Sequence, residues 1–133
     1  MVDMLSEGRY SELKIALPTV RIVQVIHVID ESSVEQAIEI SSKVDALLLD
    51  SGNPKLPVKE LGGTGRVHDW KLSSRIREGA KCPVFLAGGL NPDNIRLAID
   101  IVKPFGIDVC SGVRTNGKLD LKKLEMFFRN ALS

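Results

Sequence analysis

The sequence predicts an α/β fold in which one short helix is followed by four βα units around a parallel sheet. Three observations carry this. Apolar, β-branched runs alternate with stretches of helical spacing along the chain, the pattern of βα units. One run, Ala46-Leu47-Leu48-Leu49, has no polar residue, as strands of parallel sheets covered on both faces do. The residues able to do chemistry, Asp50, Gly88-Gly89 and Ser111-Gly112, all fall where such strands end, on the side where α/β sheets bind ligands.

Tyr10 to Leu17 reads as a short amphipathic helix stopped by Pro18, and Arg21 to Val28 as a β-branched strand. Ser32-Ser33-Val34-Glu35 has capping-box spacing, and Val34, Ala37, Ile38 and Ser41 continue it as a helix to about Ser42. The strand Ala46 to Asp50 follows. Residues 51–68 are rich in glycine and proline and lack periodicity, so they are expected to be the longest loop. Asp69 is expected to cap the next helix, with Trp70 packed at its start and Leu72, Ile76 and Ala80 on one face. Cys82-Pro83 then leads into the strand Val84–Ala87. Ile95, Ala98, Ile99 and Val102 recur at i, i+3, i+4 and i+7, with Pro104 just beyond. A strand over Ile107–Cys110 and a helix capped by Asp120, with Leu121, Leu124, Phe128 and Leu132 as its buried face, complete the chain. An open, flavodoxin-like sheet of four or five strands is the competing arrangement.

A chain of 133 residues suits one domain with a substantial core, and falls short of the ~200–250 residues of an eight-unit barrel. Eighteen Lys and Arg balance seventeen Asp and Glu, without single-sign runs, so neither nucleic acid nor an anionic membrane is indicated as partner. No apolar run approaches membrane-spanning length and the first residues lack signal-peptide character, so a cytoplasmic location and a small-molecule ligand are expected. Cys82 and Cys110 lack metal-ligand spacing and are read as free thiols, a disulfide between them being the weaker reading. No metal site is expected.

The stretch Phe85 to Asn94 reads as a buried strand, a glycine turn and a capped helix start, with Asn91 as cap and Pro92 in the first position. Gly88 and Gly89 leave backbone N–H groups open to an anion. Ser111-Gly112 repeats the arrangement, and two such ends side by side would cradle one phosphate. Gly-Gly alone is equally a tight turn, and Asp50 alone equally a turn cap. His27 is read as a satisfied polar group of the sheet interior, His68 as an exposed loop residue, and Cys110 as a small core residue.

Leu47-Leu48-Leu49-Asp50-Ser51, Gly62-Gly63-Thr64-Gly65-Arg66-Val67-His68-Asp69-Trp70, Leu86-Ala87-Gly88-Gly89-Leu90-Asn91-Pro92 and Asp108-Val109-Cys110-Ser111-Gly112-Val113 together resemble the phosphoribosylanthranilate isomerase family. The resemblance implies a (β/α)8 barrel enzyme of tryptophan biosynthesis that performs a cofactor-free Amadori rearrangement. It covers residues 1–133 as a single domain matching the family's strand-four end through strand eight, a (βα)4 half-barrel. By the same resemblance Asp50 matches the general acid, Gly88, Gly89, Ser111 and Gly112 the phosphate site, and Gly63, Thr64 and Gly65 a mobile substrate loop. Two departures stand out: the family's general base, a first-strand cysteine, has no counterpart, and Arg114 stands where many members have Glu. The chain is accordingly expected to pair as a homodimer that closes a barrel, to bind a phosphosugar without catalysing its reaction, or to be the second part of a longer gene product.

Overall fold

The computed structural model describes residues 7–51 and 64–133, with backbone alone for residues 7–9 and 64–68. The elements are α1 (Glu7–Ala16), β1 (Val23–His27), α2 (Glu31–Ser41), β2 (Ala46–Asp50), α3 (Thr64–Gly79), β3 (Val84–Ala87), α4 (Ile95–Val102) and β4 (Gly106–Ile107). A short 3₁₀ turn (Ser111–Val113), a hairpin of β5 (Arg114–Thr115) and β6 (Lys118–Leu119), and α5 (Leu121–Leu132) follow. The four long-range strands form a parallel sheet in the order β1-β2-β3-β4, with Val25, Leu48, Phe85 and Gly106 in one row. Strand order equals chain order, so the sheet has no switch point of the flavodoxin kind. Helices α2 to α5 pack each against the next, forming one continuous layer.

That layer covers one face of the sheet. Leu47, Leu49 and Leu86 are fully buried beneath it, with Ile26, Val28 and Val84 beside them. The opposite face carries Val23, Val25 and Phe85, each only half-buried. Phe85 packs edge-on against Phe105, whose side is 74% exposed. Helices cover one face of the sheet, and on the other face the unbroken run of β2 is buried as well, with Ala46 7% and Leu48 9% exposed between the neighbouring strands, so β2 is covered on both faces as its sequence predicts. Gly106 is what lets β4 lie beside Phe85, because a Cβ there would stand 2.6 Å from its ring.

Helix α1 spans Glu7–Ala16, starting earlier than the spacing suggests. Buried Tyr10 donates its hydroxyl to Oε1 of fully buried Gln24, which satisfies two polar groups under the helix layer at once. The cap of α2 is Asp30, two residues before the expected Ser32. Its carboxylate accepts from the Ser32 and Ser33 N–H groups while Ser33 Oγ accepts from the Asp30 N–H, so the capping box closes on Ser33. Helix α3 begins at Thr64, so Asp69 lies inside it and is buried, and Trp70 is a core residue of its second turn. The fourth strand has two residues rather than the four of Ile107–Cys110; beyond it Asp108 N–H still donates to the Leu86 carbonyl at 2.8 Å. The hairpin turns on Asn116 (φ 53°) and Gly117 (φ 78°), an Asn-Gly pair suited to positive φ.

Asp120 caps α5 as expected, accepting from the Lys122 and Lys123 N–H groups. The buried stripe differs. Phe127 is 1% exposed, with Leu124 and Ala131 packed into the core, whereas Leu121, Phe128 and Leu132 are 72%, 55% and 83% exposed. Both stripes have helical spacing and lie about 100° apart. The choice is made by neighbours: Asn130 Nδ2 donates to the Pro92 carbonyl at 2.7 Å, and Arg96 reaches the Ala131 and Ser133 carbonyls, which turns the Phe127 side toward α4.

Phe127→Ala is expected to cost about 3–5 kcal/mol in denaturant unfolding, and Phe128→Ala no more than about 1 kcal/mol. Asp30 and Asp120 are held below the usual carboxylate range, Asp30 first by the Ser32 hydroxyl and Asp120 first by the Thr115 hydroxyl. Lowered folded-state values contribute stability above the unfolded value of about 4, lost as pH falls through the folded values. Replacing both by Asn is expected to flatten the acid side of a plot of Tm against pH.

Candidate active site

The carboxyl edge of the sheet holds a cleft of about 230 Å³. Val25 and Leu48 form its apolar floor, Asp50 stands on one side, and Gly88, Gly89 and Ser111 with Asp108 and Cys110 stand on the other. The sheet register produces this. Asp50 follows Leu48 by two residues, so it emerges on the same open face, and it pairs with Ala87, the residue before the glycines. Ser51 then turns back: its N–H donates to the Ala87 carbonyl at 3.1 Å, and its buried hydroxyl lies 2.9 Å from that of Ser73 in α3.

Gly88 (φ 93°) and Gly89 (φ 64°) both adopt positive φ, a conformation costing other residues about 1–2 kcal/mol each. The turn is fixed from the helix side. Asn91 Oδ1 accepts from the N–H groups of Asp93 and Asn94, Asn94 Oδ1 accepts from the Asn91 N–H, and Asn94 Nδ2 donates to the Gly89 carbonyl at 2.9 Å. Asn91 thus caps the turn, but the helix begins at Ile95 with Asn94 in its N-cap position, three residues later than the expected Asn91 cap and Pro92 start. Asn94 completes a reciprocal cap, and its position three residues after Asn91 is the sequence signal that would have found it.

The second glycine site is brought against the first. A Cβ on Gly112 would stand 1.7 Å from the Leu90 carbonyl oxygen, so the two loops touch backbone to backbone. Gly112 lies behind the cleft wall that Gly88, Gly89 and Ser111 form. Of the residues expected in a substrate loop, Gly63 lies outside the described residues, and Thr64 and Gly65 form the first turn of α3.

Cys110 is exposed at the cleft rim rather than in the core. Cys82 is half-buried, and burial pushes its thiol up, making it a poor nucleophile. Both are free thiols. His27 is a correction as well: its side chain is 52% exposed at the end of β1, with Nδ1 3.4 Å from Asp50 Oδ2. Among the described residues no group of three His, Cys, Asp or Glu side chains is placed to hold a metal ion, and no helix is long and apolar enough to cross a membrane.

A profile of the N-(5′-phosphoribosyl)anthranilate (PRA) isomerase family matches residues 6–130. The N-(5′-phosphoribosyl)anthranilate isomerase of Methanothrix thermoacetophila is 46% identical over 100 residues, 74% of this chain and 46% of the relative. The crystal structure of the phosphoribosyl anthranilate isomerase of Thermotoga maritima superposes with a TM-score of 0.73 at 35% identity, over 96% of this chain and 58% of that one. A phosphoribosyl anthranilate isomerase in complex with reduced 1-(o-carboxyphenylamino)-1-deoxyribulose 5-phosphate superposes with a TM-score of 0.69 at 31% identity, over 96% and 56%. The chain spans about half the length of the curated relatives it matches. On these grounds the chain belongs to the N-(5′-phosphoribosyl)anthranilate isomerase family.

Proposed function

We propose that this chain carries the phosphate grip and the acid of phosphoribosylanthranilate isomerase, which converts N-(5′-phosphoribosyl)anthranilate to 1-(2-carboxyphenylamino)-1-deoxyribulose 5-phosphate. The observation that carries the reading is the paired-loop cleft, with two positive-φ glycines beside Ser111 and Asp50 opposite. Gly88, Gly89 and Ser111 receive the 5′-phosphate, and Gly112 holds their loops together. Among the described residues no Lys or Arg lines the cleft, so backbone N–H groups and the positive end of the Asn91-capped turn supply the attraction.

Asp50 then acts from across the cleft. Its carboxyl gives a proton to the furanose ring oxygen as the C1′–O bond breaks and the nitrogen lone pair forms a C1′=N double bond. Loss of the C2′ proton gives the enamine enol, which becomes the aminoketose when a proton returns to C1′. The step is an internal redox exchange and needs no cofactor. A base must take the C2′ proton, and no residue of this chain matches the family's first-strand cysteine. That gap favours a second reading, a phosphosugar-binding half-barrel that does not turn over alone.

The architecture belongs to the same proposal. Singly wound strand order, one helix layer and coverage of little more than half the Thermotoga maritima chain support half of a (β/α)8 barrel. Among the described residues β1 and β4 each have a strand on one side only, leaving parallel edges that favour pairing. A second copy would meet both edges and cover the apolar inner face.

Isothermal titration with the reduced product analogue is expected to show binding, and Gly88→Ala with Gly89→Ala to weaken it roughly tenfold or more, since each substitution strains the turn by about 1–2 kcal/mol. Asp50→Asn is expected to leave that affinity within about threefold while abolishing any turnover seen by anthranilate fluorescence. Binding without turnover in the unmodified chain would favour the second reading. Light scattering at micromolar concentration is expected to give twice the chain mass, and a strictly monomeric mass would rule out the paired barrel.

A further inference from the structure

His27 and Asp50 are register partners at the carboxyl ends of β1 and β2. Their side chains meet on the open face of the sheet, with His27 Nδ1 3.4 Å from Asp50 Oδ2 at 52% and 33% exposure. Val28 N–H donates to the Asp50 carbonyl at 3.0 Å, fixing the two strand ends relative to each other. An exposed pair like this adds little to stability, so its effect is one of orientation.

Among the described residues a second carboxylate near His27, that of Asp30, is already engaged. Asp30 lines the adjoining cleft of about 270 Å³ with His27, but its oxygens accept from the Ser32 and Ser33 N–H groups of the α2 cap. Asp50 is therefore the anion that His27 faces across the strand ends. Asp50 also lines the 230 Å³ cleft of the phosphate loops, so His27 stands directly behind the proposed acid.

We propose that His27 is a positioning residue for Asp50: with its proton on Nδ1 it holds the Asp50 carboxyl in the plane that presents it to the cleft. This rests on the acid role given to Asp50 above. His27 takes no part in the phosphate grip, which lies two strands away at β3. It offers its Nδ1 to Asp50 Oδ2 at the strand ends. Which imidazole nitrogen carries the proton is set by the partner of Nδ1.

The test uses the full chain with ¹⁵N-histidine labelling, read by long-range nitrogen–proton correlation at alkaline pH. The Nδ1–H tautomer is expected for His27, reverting to Nε2–H in Asp50→Ala and unchanged in Asp30→Asn. Asp50→Ser, with a hydroxyl one atom short of the Oδ2 position, serves if Asp50→Ala does not fold. Nε2–H in the unmodified chain, or Nδ1–H that survives loss of Asp50, would overturn the proposal.

Two functional arms separate it from the reading it rests on. His27→Ala is expected to leave affinity for the reduced product analogue within about twofold, unlike the glycine variants. Where turnover is measurable, kcat is expected to fall about tenfold with KM unchanged, and His27→Asn, which retains a side-chain N–H near the Nδ1 position, to recover most of it. A loss of affinity in His27→Ala, or an unchanged kcat, counts against His27 as a positioning residue. If the unmodified chain does not bind the analogue at all, the phosphosugar reading fails, and the tautomer measurement still decides whether His27 and Asp50 act as a pair.

Discussion

The leucines that β2 and β3 place beneath the helix layer are the constraint from which the site follows. Leu47, Leu49 and Leu86 are fully excluded from solvent beneath the helix layer, and side chains of a strand alternate between faces. Leu48 and Asp50 must then point the other way. A one-residue slip would turn the Asp50 carboxylate beneath the helix layer and move Leu47 and Leu49 out of it. The core therefore specifies the register, and the register sets a carboxyl group opposite a glycine turn. Asp50 owes its position to residues that never touch a ligand.

The same constraint explains how much could be read from residue order. Strands β1 to β3 were legible because β-branched and leucine runs bounded by turn residues have few other solutions, and Asp50, Gly88 and Gly89 were legible because they end those runs. Asn91 was legible from capping chemistry. Where two answers satisfied one local rule, tertiary contacts decided. Phe127 and Phe128 sit on neighbouring stripes of one helix, and only the Asn130 and Arg96 contacts choose between them. Asp30 and Ser32 both qualify as caps, and the Ser33 hydroxyl selects Asp30. His27 looked interior because strands usually bury their histidines, but the last rung of an edge strand is already at the rim.

The cleft divides the chemistry of the family unevenly. It brings together an anion cradle made from backbone geometry and a carboxyl group placed by a strand, both features that a half-length chain can preserve intact. Proton abstraction at carbon needs a group from another strand, and the open inner face, with Val25, Leu48, Phe85 and Phe105 along it, is where further strands of a barrel would close.

The fourth strand has another consequence. Only Gly106 and Ile107 are in the ladder, and Gly106 has its place because it carries no side chain against the Phe85 ring. Past Ile107 one backbone bond, Asp108 N–H to the Leu86 carbonyl, continues the pairing before the chain leaves for Ser111. Opening of that short edge would break few hydrogen bonds: the Gly88 loop hangs from a strand paired on both sides, the Ser111 loop from a strand with one described neighbour. A ligand spanning both would stitch the margin to the centre, and its affinity would include the work of holding that seam shut.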